Sequence, residues 1–190
     1  MHDQVNEQAA ITATLRGDPH AFAWLVQQYK HMVHTICFRT LKNTEEAEEA
    51  TQDSFVKAYQ HLDRFKGTSR FSTWLYSIAY RTAISQLRKH GTPTIPIEQV
   101  MAGGPISTSA HGLEQSDRRA ALNKALDRLP PEDAALISLF YLDELSIEEI
   151  VTVTGSSASN VKVKLHRLRK RLLELLQNEL KEEAWTLIES

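Results

Sequence analysis

Two small all-α domains joined by a flexible linker are the fold class that this sequence of 190 residues predicts. Three observations carry that expectation. Apolar residues recur at three- and four-residue steps in both halves, the period of core-facing helices, and no stretch alternates as a strand would. Between the halves, Gly91 to Gln115 (GTPTIPIEQVMAGGPISTSAHGLEQ) holds four of the seven glycines and three of the six prolines and shows no helical period. That composition suits a tether. Beyond it the pattern resumes as helix, break, helix, turn, helix. The expected organisation is therefore a first domain over 1–90, a linker over 91–115 and a second domain over 116–190.

Composition narrows the class further. With 42% hydrophobic and 24% charged residues the chain reads as globular and soluble. A single cysteine, Cys37, excludes an internal disulfide and suits a reducing compartment. The opening MHDQVNEQAAITATLRGD is polar and lacks a signal-peptide pattern, and no apolar run approaches the ~20 residues that span a bilayer. The expectation is a cytoplasmic protein without membrane insertion.

In the first domain, Asp18 has the position of a helix N-cap, with Pro19 at the first helical residue. Phe22, Leu25, Val26, Tyr29, Val33 and Ile36 then form a core-facing stripe. A second helix opens at NTEE, where Asn43 and Glu46 have capping-box spacing, and runs to about Leu62. Its inward face is Ala47, Ala50, Thr51, Ser54, Phe55, Ala58 and Leu62. The opposite face is an acidic stripe of Glu45, Glu49, Gln52, Asp53 and Val56. Dipole complementarity explains acids in the first turn but not Gln52 and Asp53, which point to a basic protein partner. A loop, DRFKGTSRFS, leads to a third helix from Ser72 to about Lys89. This helix has two apolar faces, one with Leu75, Ile78 and Thr82 beside Phe71, the other with Tyr76, Tyr80, Ala83 and Leu87. It should be buried on two sides. Between the faces lie Trp74, Ser77, Arg81 and Arg88. They form either a platform for an unstacked base and its phosphates or a core tryptophan flanked by snorkelling arginines, and the wheel does not separate the two.

In the second domain, DRRAALNKALDRL ends at Pro130-Pro131, EDAALISLFYL follows, and SIEEIVTV opens on Ser146 and Glu149 at capping-box spacing. Gly155 supplies a turn, and a long last helix begins near Ser157. Six Lys and Arg and no acid lie between Ser156 and Leu173, whereas the rest of the chain carries 16 basic and 24 acidic residues, a net of −8. Val161, Leu165, Leu168, Leu172 and Leu175 make a packing stripe, and Lys162, Lys164, Arg167, Arg169, Lys170 and Arg171 cover the remaining circumference. A solvated helix kept soluble by its charges is the plain alternative. The absence of acids and the preceding short helix and turn favour a helix-turn-helix whose second helix enters a major groove. Ser156, Ser157, Ser159, Asn160, Lys162, Lys164 and His166 would then meet bases and phosphates.

Taken together, GDPHAFAWLVQQY, EEAEEATQDSFVKAYQHLDRFKG, FSTWLYSIAYRTAISQLRK, ALDRLPPEDAALISLFYLDELSIEEI and SNVKVKLHRLRKRL closely resemble the extracytoplasmic-function (ECF) sigma factors of the sigma-70 class, in order and spacing, from about Arg16 to Leu176. The resemblance implies a bacterial transcription initiation factor that is not an enzyme and needs no cofactor or metal. It implies that Glu49, Gln52 and Asp53 meet the β′ clamp helices of core RNA polymerase. The loop residues Lys66, Thr68, Ser69 and Arg70 would form a pocket for a base flipped from the −10 element. Trp74, with Ser77, Arg81 and Arg88 on its stripe, would lie along the melted strand. Ser157, Ser159, Asn160, Lys162, Lys164, His166 and Arg167 would read the −35 element, and the rest of the second domain would sit on the β flap. An anti-sigma protein is a further implied partner. The chain departs from the common pattern at Arg81, where Asn is frequent, at Ser85, where Asp is frequent, and at Ser157, where proline often opens the helix.

Two other readings compete. A helix-turn-helix regulator acting without polymerase explains Val161 to Leu176 but leaves Glu49, Gln52, Asp53 and the Trp74 helix without a role. A metal enzyme is suggested only by His31 and His34 in HMVH, which lack a third ligand or an HExxH motif.

Overall fold

A computed structural model describes residues 2–90 and 120–188, with side chains described over 6–89 and 120–178. The expected linker, 91–115, lies outside the described residues. Among those described there is helix and no strand. The elements are α1 (His2–Leu15), α2 (Pro19–Leu41), α3 (Thr44–Gln60), a 3-10 turn (Leu62–Arg64), α4 (Phe71–His90), α5 (120–127), α6 (Pro131–Tyr141), α7 (Ile147–Thr154) and α8 (Ala158–Ile188).

The local signals act as the sequence expects. The Asp18 carboxylate accepts from the His20 amide at 2.9 Å, and Pro19 opens α2. The Asn43 side chain accepts from the Glu46 amide at 3.1 Å at the start of α3. Ser146 and Glu149 close a reciprocal capping box on α7. That helix ends at Gly155, whose φ of +71° is left-handed and whose amide bonds the Val151 carbonyl at 2.8 Å. α8 follows at once, with the Asn160 amide donating to the Ser157 hydroxyl at 3.3 Å.

α1 is the element missing from the sequence reading. Over its described side chains, 6–15, it buries Ala10, Ile11 and Thr14, a stripe too narrow to raise a periodic signal. Tertiary contact with α2 and the 3-10 turn holds it in place, helped by the Tyr29 hydroxyl donating to Glu7. The other boundary difference is small. α3 stops at Gln60, and Leu62 is buried from the 3-10 turn rather than from the helix.

α2, α3 and α4 pack as a three-helix bundle around Leu25, Val33, Ile36, Leu41, Phe71 and Leu75. Ala47, Ala50 and Ala58 are fully buried on α3, so that helix approaches its neighbours closely. Phe65, Phe71 and Trp74 form a ring cluster at one end, with centroids 5.4–5.5 Å apart. The second bundle closes over Ile137, Leu139, Ile150, Val153 and Val161. Val161, Leu165, Leu168 and Leu175 are buried and Leu172 half-buried, the stripe that the wheel marks on α8. Each fully buried Leu or Ile side chain contributes roughly 1.5–3 kcal/mol.

The two bundles touch each other. α6 lies on α2 and α7 lies on α4, and their buried apolar side chains join into one cluster. This answers what covers the second face of α4. Tyr76 and Ala83 are buried there and Tyr80 and Leu87 are half-buried.

A Cβ added at Gly155 would meet nothing within 4 Å, so any cost of replacing it arises from the left-handed backbone alone. Gly155→Ala should destabilise the chain by about 1 kcal/mol, and Gly155→Asn by less, since asparagine tolerates this conformation. Urea unfolding of the three proteins checks the order. Equal stability would mean that the turn relaxes into another geometry.

Candidate nucleic-acid and polymerase interface

The acidic stripe of α3 is built by subtraction. Alanines and Phe55 commit one side of the helix to the bundle, and everything opposite is left to water. Glu45, Glu49, Gln52, Asp53 and Val56 are all exposed. Val56 is 54% and Tyr59 49% exposed, so the carboxylates flank apolar surface. That is the make-up of a protein contact, in which apolar area supplies affinity and charge supplies register.

The loop and α4 present a different surface. Gly67 turns the chain at φ +68°, leaving Lys66, Thr68 and Arg70 exposed and Ser69 partly so. Trp74 is half-buried against Phe65 and Phe71, so it is both a packing residue and a partly open ring. Ser77 is only 8% exposed and its hydroxyl donates to the Trp74 carbonyl at 2.7 Å. Its place on the wheel therefore does not translate into an open hydroxyl, because α7 covers that side of the helix. Arg81 and Arg88 are exposed. With Tyr80, Ser85 and Lys89 from α4, and Glu132, Thr154 and Ser156 from the second bundle, they line an open cleft of about 530 Å³.

Ser157, just before α8, and Ser159, Asn160, Lys162, His166 and Arg167 on it are exposed along one end of the helix. Lys164 is partly covered and pairs with Asp133 at 2.7 Å. Arg169, Lys170 and Arg171 are exposed further along, and Arg171 meets Glu174 at 3.2 Å where the helix turns acidic.

Contacts between the bundles involve residues that sequence reasoning assigned no such role. The Glu149 carboxylate receives the Arg70 guanidinium at 2.8 Å and the Thr73 hydroxyl at 2.8 Å while still capping α7. Arg88 approaches Glu132 at 3.7 Å, and Arg81 reaches the Thr152 carbonyl at 3.5 Å. Deeper in the seam, Arg39 donates to the Ser138 hydroxyl at 2.5 Å. Lys42 donates to the carbonyls of Asp127 and Leu129, the latter at 2.8 Å. The Tyr76 hydroxyl faces the Asp143 carboxyl across the seam. Capping-box spacing was the only sequence signal at Glu149, and helical periodicity cannot register a pairing between residues 79 positions apart.

Burial sets the electrostatics of the seam. It pushes the carboxyls of Asp127 and Asp143 above their ordinary range, against the opposing pull of Lys42 and Arg39 on the first and of Tyr76 and Arg39 on the second. Burial likewise lowers Arg39 and Lys42, offset by the same acids, and raises Tyr76. Tyr80 is raised to about 12 by burial and by Glu132. Glu149 behaves oppositely. Burial would raise it, but hydrogen bonds from Ser146, Thr73 and Arg70 outweigh that and hold it below its ordinary value. Among the described residues no group of three or more His, Cys, Asp or Glu could hold a metal ion, and His34 lies stacked on Phe38. No helix among them is long and apolar enough to cross a membrane.

An acidic face, an aromatic-arginine helix and a basic helix-turn-helix on two small bundles define a transcription-factor architecture, and comparison with known proteins makes it specific. Residues 25–92 match the model of sigma-70 region 2, and residues 119–172 that of sigma-70 region 4. The chain is 34% identical to the ECF RNA polymerase sigma factor SigW of Bacillus subtilis, over 88% of this chain and 95% of that protein. It is 30% identical to the RNA polymerase sigma-H factor of Pseudomonas aeruginosa, over 96% of this chain and all of that one. Among solved structures it resembles the sigma factor RpoE of Bartonella quintana, crystallised with the anti-sigma factor NepR, at a TM-score of 0.62 and 25% identity, over 82% of this chain and 96% of that chain. It shares its fold with CnrH, solved with the cytosolic domain of CnrY, at a TM-score of 0.63 and 21% identity, over 91% of this chain and 98% of that one. The chain belongs to the extracytoplasmic-function sigma factors of the sigma-70 class.

The depressed acidity of Glu149 gives a signed pH dependence. A carboxylate held below its unfolded value contributes stability that is present above that value and is lost as pH falls through the folded one. Glu149→Gln keeps a capping side chain but removes this contribution. The stability lost between pH 7 and the acid side of the ordinary glutamate pKa should therefore be smaller in the variant, by of order 1 kcal/mol for so exposed a partner as Arg70. Urea unfolding at both pH values measures it. Identical losses would show that Glu149 has no preference for the charged form in the folded chain.

Proposed function

We propose that the first bundle docks on the β′ clamp helices of core RNA polymerase through Glu49, Gln52 and Asp53, and engages the −10 element through the Lys66–Arg70 loop and the Trp74–Arg88 edge of α4. In the same reading the second bundle reads the −35 element with the exposed end of α8 and rests on the β flap. The observation that carries this reading is charge segregation in a chain of this family. The acids of α3 and the cations of α8 are exposed on opposite bundles, so one surface suits a basic protein and the other a nucleic acid.

The work is binding, with no bond made or broken by the chain, and it takes place in the cytoplasm. Lys and Arg contacts to phosphate supply salt-dependent affinity, and base-edge contacts discriminate by ~1–3 kcal/mol each. Extruding a base costs a few kcal/mol, offset by stacking of ~1–3 kcal/mol and by pocket contacts. Because that margin is thin, neither bundle alone should open DNA well. Polymerase, by fixing their separation, converts two modest contacts into one strong one. An anti-sigma protein covering these surfaces is a further partner in this reading, supported by the solved RpoE–NepR complex. Arg81 and Ser85, where the family often has Asn and Asp, should shift the −10 preference.

Transcription by sigma-free bacterial core polymerase across a promoter library tests the assignment. Glu49→Lys/Asp53→Lys should weaken core binding about thirtyfold or more, since paired interface charges are worth roughly 2–5 kcal/mol, and should abolish specific transcripts. Undiminished transcripts would remove α3 from the interface. If transcripts never form while the chain binds particular duplexes alone, the polymerase-independent regulator becomes the better reading. Trp74→Ala should keep core affinity and lose open-complex formation by about 5- to 150-fold, the equivalent of ~1–3 kcal/mol for one stacked base. Permanganate footprinting of the bubble reads this directly, and an unchanged bubble would make Trp74 a packing residue only.

A further inference from the structure

Val163 lies within the first two turns of α8 and is 50% exposed. At ~100° per residue it stands ~160° from both Val161 and Leu165, on the side opposite the stripe that packs the helix. A single exposed valine is ordinary on a protein surface, but the neighbours of this one set it apart. One turn before it lie Ser159 and Asn160, one turn after it His166 and Arg167, and Lys162 adjoins it, all of them exposed. Lys164, the next residue, is drawn off to Asp133 at 2.7 Å. The isopropyl group is thus ringed by hydrogen-bonding and cationic side chains. Helix formation does not call for valine there, because a β-branched residue is a weaker helix former than alanine, lysine or glutamine. Nor does the ring suit an apolar protein contact, whose centre is depleted of charge. The large apolar side chains nearest to Val163 on its own helix, Val161 and Leu165, are buried. A base edge fits better. The major groove presents donors, acceptors and one hydrocarbon, the thymine C5 methyl, and a side chain that neither donates nor accepts can select only the last.

We propose that Val163 is a specificity-determining residue that packs on a thymine methyl in the −35 element, so that this chain selects thymine, on one strand and at one position, against the other three bases. The proposal rests on the assignment of the exposed end of α8 to the −35 element and adds the chemical feature that is read there. A methyl group taken from water is worth about fourfold in affinity, or ~0.8 kcal/mol.

Deoxyuridine provides the test, since it keeps every hydrogen bond of thymine and lacks only the methyl. In the promoter transcribed best by core polymerase with this chain, each −35 thymine on either strand is replaced in turn. Affinity of the chain–polymerase complex is then measured by competition with the unmodified duplex. At one thymine the replacement should weaken binding by the wild-type chain about fourfold and leave binding by Val163→Ala unchanged. On the unmodified duplex Val163→Ala should itself be weaker by a similar factor. A variant that failed to fold would lose affinity on every duplex alike and could not erase the effect of one methyl. The proposal is overturned if wild type and Val163→Ala give the same deoxyuridine profile, or if the −35 element holds no A·T pair. It is equally overturned if Val163→Ala weakens binding to core polymerase in the absence of DNA, which would make Val163 a protein contact. The assignment of α8 is read separately. Lys162→Ala/Arg167→Ala should reduce the slope of log affinity against log salt by about 2. An unchanged slope would remove α8 from the groove, whereas a reduced slope with identical deoxyuridine profiles would keep α8 there and overturn the role of Val163 alone.

Discussion

Burial of α4 on two opposite faces is the constraint on which the rest of the molecule depends. One face, through Phe71 and Leu75, completes the first bundle, and the other, through Tyr76 and Ala83, accepts the second. A helix used twice in this way leaves only a narrow strip for water, and the strip holds the edge of Trp74 with Arg81 and Arg88. Position, more than composition, makes that strip a candidate for recognising DNA. Its side chains stand on a helix packed by both bundles, so their spacing is fixed before any ligand arrives.

The two bundles divide the electrostatic labour. α3 can offer acids to a protein because alanines and Phe55 anchor its other side. α8 can offer cations because a leucine stripe anchors it. In both helices the packed face and the charged face are different, so charge changes on the outer face leave the core untouched. The seam is different, since there charged side chains themselves take part in the packing. Arg70 and Arg88 are paired with acids from the other bundle.

Much of this was legible in the sequence. Capping residues and apolar periods located α2, α3, α4, α7 and α8 because these helices carry strong local signals. Asp18, Asn43, Ser146 and Gly155 each act through neighbours within four residues. The acidic stripe and the leucine stripe were likewise readable, being properties of single helices. α1 escaped because the stripe buried among its described side chains, Ala10, Ile11 and Thr14, is too small to register, and its place depends on tertiary contact. The two-faced character of α4 was visible, but what covers its second face was not. The side-chain pairings across the seam, Arg39 with Ser138 or Thr73 with Glu149, obey no periodicity. Ser77 shows the same limit from the other side, since a helical wheel gives angle and says nothing of the neighbour that closes over it.

Lys42 ends α2 with a left-handed φ of 54°, a conformation that glycine adopts freely and that costs a side-chain-bearing residue about 1 kcal/mol. Considered alone, the first bundle would be better served by glycine. Yet the lysine ammonium reaches carbonyls at the C-terminal end of α5, where positive charge is favoured. One position thus trades the comfort of its own helix for the termination of another more than eighty residues away. Local and global preferences conflict there, and the conflict marks Lys42 as a residue whose choice makes sense only for the two-bundle chain. Separated from its partner, the first bundle would carry that strain with nothing to show for it.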